Sequence, residues 1–209
     1  MAMLQGTFGG LAEVALDNGD WITWNLTLAL VPAVLAVALF GRARSRHGVV
    51  WWLGVAAFGL FLPNAPYVVT DLVHLRGDVL AARSDGVVVA GVLPMYAAYI
   101  LAGFVAYVVS LELARSELRR RAPTLDGPWF EPAAHLVCSI GIVLGRIARL
   151  NSWDVATSPT SALERTVLTL SWRGAPFALV VVFIAVACTY ALVKGMTHAV
   201  LRRKWLLGL

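Results

Sequence analysis

Charge is scarce in this sequence: 14% of its 209 residues are Asp, Glu, Lys or Arg, while 59% are apolar. A water-exposed surface requires more polarity than that, so a soluble globular domain is excluded and the solvent for most side chains is lipid. Cysteine is scarcer still. Cys138 and Cys188 both lie inside apolar runs, which rules out a disulfide framework or a zinc-type ligand cluster and leaves packing as their expected role. Neither a cofactor signature nor a metal motif is present, and there is no internal repeat or low-complexity stretch. The first apolar run is preceded by Glu13, Asp17 and Asp20 rather than by a basic segment, so a cleaved signal peptide is not expected.

What the chain does have is length of apolar run. Stretches of 14 to 24 residues are long enough, at ~1.5 Å per residue, to cross ~30 Å of hydrocarbon. The reading is an all-α, integral membrane bundle of about five transmembrane helices forming one domain over 1–209. Its spans are expected near 21–40, 49–63, 87–110, 132–150 and 176–194. Span counts of four or six also fit, because the first 20 residues can form an interfacial helix and the second span is short enough to be partly re-entrant.

The net charge of +5 and pI of 9.7 could suggest nucleic acid. The positive charges, however, stand in the breaks between spans: Arg42, Arg44 and Arg46 after the first, Arg115 and Arg119 to Arg121 after the third, and Lys194, Arg202, Arg203 and Lys204 after the fifth. An odd number of spans puts all three groups on one side. Lys and Arg are retained in cytoplasmic loops, so this side is read as cytoplasmic, with the N-terminus outside and the C-terminus inside a bacterial inner membrane. No nucleic-acid partner is expected; the arginines serve topology, with the bilayer as partner. Trp21, Trp24, Trp51, Trp52, Trp129 and Trp172 fall near span ends, where indoles favour the headgroup zone.

Two polar motifs then fall on the outer side. The second span, about 22 Å long at 15 residues, runs into Pro63-Asn64-Ala65-Pro66-Tyr67 and on to Thr70, Asp71 and His74. Pro63 and Pro66 each lack an N–H and push their predecessors toward extended angles, so the helix must break. Asn64 is placed to cap a new, short amphipathic helix over 66–75 with Tyr67, Thr70, Asp71, His74 and Asp78 on one arc. The fourth span ends in Arg146, Arg149, Asn151, Ser152, Trp153 and Asp154, with both arginines one turn apart at a helix C-terminus, where cations suit the dipole. A stripe of His135, Cys138, Ser139, Arg146 and Arg149 on this span, and one of Tyr96, Tyr99, Gly103, Tyr107 and Ser110 on the third, should face the bundle interior or a wet cavity rather than lipid. Asn25 and Ser139 are expected to bond across helices, and Gly141 with Gly145 to pack helices. Ser161 to Glu164 reads as a capping box opening a second interfacial helix over 162–171.

The sequence Leu62-Pro63-Asn64-Ala65-Pro66-Tyr67, with Thr70, Asp71 and His74 and then Gly145, Arg146, Arg149 and Asn151 to Asp154, resembles the domain-of-unknown-function 1361 family of bacterial multi-spanning membrane proteins. The resemblance covers most of the chain and implies a membrane fold; it implies no activity, cofactor or catalytic residue.

Three functional classes fit these residues. The first is a small transporter or permease whose broken second span, with Arg146, Arg149, Asn64 and Asn151, forms an outward-facing anion site, since transporters build sites from broken helices and intramembrane charge. Five spans without a repeat would then be expected to oligomerise. The second is a membrane enzyme acting on a lipid-linked or phosphorylated substrate, in which Arg146 and Arg149 hold phosphate and His74, oriented by Asp71 or Asp154, exchanges protons. Asp71, His74 and Asp154 are also the residues a divalent metal would need, opposed by the nearby arginines. The third is a non-catalytic accessory subunit. Set against all three is a plain alternative, in which Arg146 and Arg149 merely pair with Asp71 and Asp154 to tie two loops together.

Overall fold

The computed structural model describes residues 2–42, 48–82 and 84–207, with side chains described for residue 14 and within 16–199. Among the charged residues, Arg44, Arg46 and Arg83 lie outside the described residues, as do the side chains of Glu13, Arg202, Arg203 and Lys204. No strand occurs among the described residues. Among the described residues, five helical runs are long and apolar enough to cross a membrane: Leu16–Phe40, Val49–Ala81, Asp85–Arg121, Phe130–Ile147 and Ala175–Ala199. The chain is a multi-pass helical membrane protein.

Helix α1 (Ala2–Phe40) is continuous, so the N-terminal segment is no separate interfacial helix but an extension of the first span. The second run comprises α2 (Val49–Phe61), α3 (Asn64–Tyr67), a 3-10 turn (Val68–Asp71) and α4 (Leu72–Ala81). The prolines do interrupt it. Leu62 O, whose regular donor would be the missing N–H of Pro66, accepts from Ala65 N at 3.2 Å instead. The break does not turn the chain, however, because Pro63 (φ −61°, ψ −22°), Val68 (φ −51°, ψ −26°) and Leu72 (φ −53°, ψ −17°) all remain right-handed helical. The expected span ending at 63 and separate helix over 66–75 are therefore one interrupted rod.

Ser84 caps α5 (Asp85–Val87), its Oγ accepting from Val87 N at 3.4 Å. A π turn (Val88–Val92) follows, with Leu93 N donating to Val88 O, and leads into α6 (Leu93–Arg121). Pro94 explains it: with no N–H at 94, Ala90 O loses its α-helical donor, and the wider register accommodates the gap. A 3-10 turn (Pro123–Leu125) joins α6 to α7 (Phe130–Ile147); α8 (Asp154–Thr157) and α9 (Pro159–Ser171) precede α10 (Ala175–Leu207). The last helix thus runs past the expected end at 194. The capping box at Ser161 is not used: α9 begins three residues earlier, with Ser158 at the cap position and Pro159, which needs no donor partner, in the first turn.

Helix α6 is the centre of the bundle, flanked by α1 and α10, with α2 on α1 and α7 on α10. Its tyrosine stripe is buried as the sequence predicts: Tyr96, Tyr99, Tyr107 and Ser110 are 3% exposed or less. Large apolar side chains such as Val34, Trp52, Leu53, Val181, Ile184 and Leu192 point outward, which only a bilayer accommodates. Cys138 is buried as expected of a packing residue, whereas Cys188 is exposed.

The basic end is a network rather than a scatter of topology signals. Arg115 pairs with Asp126 (2.6 Å) and Glu131 (2.9 Å), and Lys194 with Glu131 (2.6 Å) and Glu112 (2.7 Å), which ties α6, α7 and α10 together. Arg120 Nη2 donates to Phe40 O at 3.0 Å, satisfying a carbonyl at the end of α1. The guanidinium groups of Arg115 and Arg119 hold the Asp126 carboxyl below its ordinary value of 3.8, so this tie is complete above that pH and is lost only as acid carries the pH through the lowered value.

Three glycines clasp the interrupted segment. A Cβ on Gly103 of α6 would lie 2.6 Å from Val68 Cγ2 and 2.8 Å from Ala65 O, and one on Gly141 of α7 would lie 2.6 Å from Pro63 Cγ. Gly145 leaves 3.2 Å to Tyr67 Cε2. The Gly141 and Gly145 pair thus packs helices as expected, but against the proline break. Because the obstacle at Gly103 includes backbone, Gly103→Ala is expected to destabilise by about 1–3 kcal/mol. Gly77→Ala, with nothing within 4 Å, should be neutral or stabilising by up to about 1 kcal/mol. Thermal unfolding in detergent compares the two; equal midpoints would refute the clasp.

Candidate functional site

The polar residues of the proline break gather at the end of the bundle opposite the arginine clusters. Asp71 closes the 3-10 turn and is 1% exposed, although it carries a carboxylate. Such burial requires partners, and three helices supply them. Tyr99 Oη of α6 donates at 2.6 Å and Asn25 Nδ2 of α1 at 3.3 Å, both to Oδ2, while Arg146 Nη1 of α7 stands 3.2 Å from Oδ1. Arg146 also donates to Thr70 O at 2.8 Å and to Tyr67 Oη at 3.4 Å, and it lies over the Tyr67 ring at 5.5 Å. Its charge is answered locally.

Arg149 behaves differently. Helix α7 ends at Ile147, so the expected stripe carrying both arginines stops at the first. Arg149 adopts φ 53°, the left-handed conformation usually given to Gly or Asn at a helix end, and Leu150 N reaches back to Leu144 O at 3.4 Å. The guanidinium is exposed and has no ion-pair or hydrogen-bond partner among the described residues. Asp154, the acid expected to pair with it, instead accepts from Asn151 N at 2.8 Å. Asn64 does not cap α3; its Nδ2 donates to Phe61 O (3.0 Å) and to Ser152 Oγ (2.9 Å), fixing the Asn151 to Asp154 loop to the break.

His74 is exposed, with its ring 5.5 Å from that of Trp21 and no hydrogen-bond partner among the described residues, so neither Asp71 nor Asp154 orients it. Asp78, on the same arc, accepts from Tyr96 Oη at 2.7 Å. No three His, Cys, Asp or Glu side chains come together among the described residues, and Asp71, His74 and Asp154 accordingly form no ligand set. His135, from the lower part of the α7 stripe, is buried with Nδ1 2.9 Å from Tyr107 Oη. Ser139 bonds to His135 O in its own turn at 2.7 Å rather than across helices; Asn25 does bond across, to Asp71.

Beside this network lies a cavity of about 490 Å³, within the size range of ligand sites. Trp24, Leu28 and Leu60 of α1 and α2 form one wall and Val137, Ile140 and Leu144 of α7 the other, with Pro63, Asn64 and Tyr67 of the break between them. Arg149, Asn151, Ser152 and Trp153 of the loop that follows α7 line it at the C-terminal end of that helix, and Ala162 and Thr166 of α9 complete the lining. Among the described residues lining it, Arg149 is the single charged side chain. Arg146, Asp71, His74 and Asp154 are not part of the lining.

A family model described as "Protein of unknown function (DUF1361)" matches residues 24–188. The chain belongs to this family. The matched segment contains both polar motifs, the proline break and every residue lining the cavity. No curated protein and no solved structure matches the chain.

The sequence pointed to Asn64, Asn151 and Arg149 as site residues but left Ser152, Trp24, Trp153 and the apolar walls without a role. Ser152 and Trp153 stand inside the second motif, whereas Trp24 carried only the signal of a span-end indole. Helical pattern places Tyr67 on the polar arc and Tyr99 on the α6 stripe; their hydroxyls prove to be partners of Arg146 and Asp71.

Replacing either member of the buried pair tests how far it holds the bundle. Breaking such a pair costs ~3–5 kcal/mol when fully buried, and the one-third exposure of Arg146 places the expected cost at the low end. Arg146→Met should unfold at lower temperature than Asp71→Asn, because it strands the buried carboxylate. Asp71→Asn combined with Arg146→Met should lose less than the two single losses added; strict additivity would show that the pair is uncoupled.

Proposed function

We propose that this protein binds an anionic amphiphile taken from the bilayer, with the ligand's chain between α1, α2 and α7 and its head at Arg149. The observation that carries this reading is an unpaired guanidinium at the end of an otherwise uncharged, largely apolar cavity in a membrane-spanning helical bundle. Apolar walls accept a chain without cost in unpaired polarity, and guanidinium presents paired donors to anionic oxygens. The left-handed backbone at Arg149 agrees: an arginine kept where glycine would be unstrained points to a demand on its side chain.

A permease centred on Arg146 is less well supported, because that guanidinium is already satisfied by Asp71, Thr70 and Tyr67. An enzyme using His74 is less well supported for a related reason, since His74 stands against Trp21 and outside the cavity lining. The site is thus read as a binding site for a lipid-type ligand, compatible with a protein that presents or senses it.

Arg149→Gln should weaken retention of anionic lipid by delipidated protein roughly 10- to 100-fold, the value of one charge-assisted contact of ~1.5–3 kcal/mol. Arg149→Gly should lose binding equally while changing stability by less than about 1 kcal/mol, because relief of the left-handed strain offsets the added freedom of the unfolded chain. Native mass spectrometry after titration with mixed phosphatidylglycerol and phosphatidic acid reads the first, and thermal unfolding the second. Retention equal to the native protein in both variants would sink the reading.

The cavity end is further assigned to the outside of a bacterial inner membrane, on the strength of the arginine bias toward the opposite end. A Ser84→Cys variant in a Cys188→Ser background should react with a membrane-impermeant maleimide in intact cells; labelling only after lysis would invert the orientation.

A further inference from the structure

Charge matching at the cavity narrows the ligand further. We infer that its head is a singly charged phosphodiester bearing a neutral, hydroxyl-rich substituent, as in a glycerol- or sugar-bearing phospholipid; this rests on the amphiphile reading above.

The head's charge must be neutralised by what lines the cavity. Among the described residues lining the cavity there is one cation, Arg149, and no carboxylate. A phosphomonoester carries ~1.5 to 2 negative charges near neutrality, so a single guanidinium would leave part of that charge unmatched. The second arginine that such a head would require is Arg146, and it faces Asp71 at 3.2 Å. A phosphodiester carries one charge, which Arg149 alone answers.

The substituent on that phosphate must then suit the remaining groups. An ammonium head is answered best by a carboxylate, which the lining lacks, or by an enclosing set of rings. The aromatic side chains here do not make such a set. Trp24 and Trp153 are 59% and 38% exposed, the ring of Tyr67 is covered by Arg146, and no contact between these three rings occurs among the described residues. What remains is neutral hydrogen-bonding capacity. The Asn151 side chain has no partner among the described residues, and Asn64 donates through Nδ2 to Phe61 and Ser152, leaving its Oδ1 to accept. An amide that both donates and accepts matches a hydroxyl, which does the same. A glycerol or sugar head presents several.

The lateral walls supply the chain's half of the match. Leu60 is 39% exposed and Val137 56%, so the α2 and α7 sides of the cleft are accessible from the lipid side. A ligand with its chain in the hydrocarbon and its head at the level of Arg149 would reach the site without leaving the membrane.

Three lipids of matched chains separate the possibilities: phosphatidylglycerol, phosphatidic acid and phosphatidylethanolamine, each titrated into delipidated full-length protein and read by native mass spectrometry. The expected order is phosphatidylglycerol above phosphatidic acid by about tenfold, with phosphatidylethanolamine weakest, a tenfold ratio being ~1.4 kcal/mol. Asn151→Ala, at an exposed loop position, should collapse the ratio toward one while Arg149 dependence persists. Phosphatidic acid equal to or above phosphatidylglycerol, or an unchanged ratio in Asn151→Ala, would overturn this inference and leave the amphiphile site standing. Loss of Arg149 dependence for all three lipids would remove the site itself. Glycerophosphoglycerol, which has the head without chains, should compete only at much higher concentration; competition at the lipid's own concentration would assign the site to a soluble phosphodiester and overturn the lipid source.

Discussion

The pairing of Asp71 with Arg146 is the contact on which the far end of the bundle depends. It forms because two sequence features meet: a proline break that lets α3 and the following 3-10 turn sit deep between helices, and an arginine in the last turn of α7. Tyr99 and Asn25 then bring α6 and α1 to the same carboxylate, so four runs of chain converge on one group. In hydrocarbon surroundings a polar atom has no water to fall back on. Each of these residues therefore constrains where the others stand, and the small contacts at Gly103, Gly141 and Gly145 are the steric counterpart of that constraint.

The same pairing explains why the cavity presents one charge. With Arg146 turned toward Asp71, the wall beside it is left to Tyr67, Gly145 and Leu144. With α7 ending at Ile147, the next arginine leaves the helical register. Two arginines three positions apart thus acquire opposite duties, one closing the bundle and one facing the cavity. Had the helix continued to Leu150, both would have shared one stripe and one set of partners.

The membrane class, the number of runs and the burial of the tyrosine stripe were legible in the sequence, because they follow from run length and from the helical period. The proline break was legible as a break but not as a continuing rod. Proline dictates which hydrogen bonds are lost, whereas the direction afterward depends on ψ at Pro63, Val68 and Leu72, which neighbouring helices settle. Asn64 illustrates the same limit. Its type suits a cap, and the nearby Ser152, 88 positions away, offered a better partner that local pattern could not anticipate. The pairing of Arg146 with Asp71 was anticipated as one alternative; that of Arg149 with Asp154 failed because Asp154 serves its own loop.

The cavity was the least legible feature, for a physical reason. In a soluble protein an exposed apolar residue is a signal; in a membrane protein Leu60, Val137 and a merely lipid-facing Val181 look alike in sequence. What distinguishes a cleft from a smooth lipid-facing surface is a local deficit of packing, and here it arises because the broken rod presents Pro63 and Asn64 where a regular helix would present a full turn of side chains. The helix break thus has two consequences. It buries Asp71 on one side, which demands the arginine, and it opens a concavity on the other, where the next arginine has no acid to meet. A ligand whose charge matches that remaining guanidinium would complete at the cavity what Asp71 completes in the core.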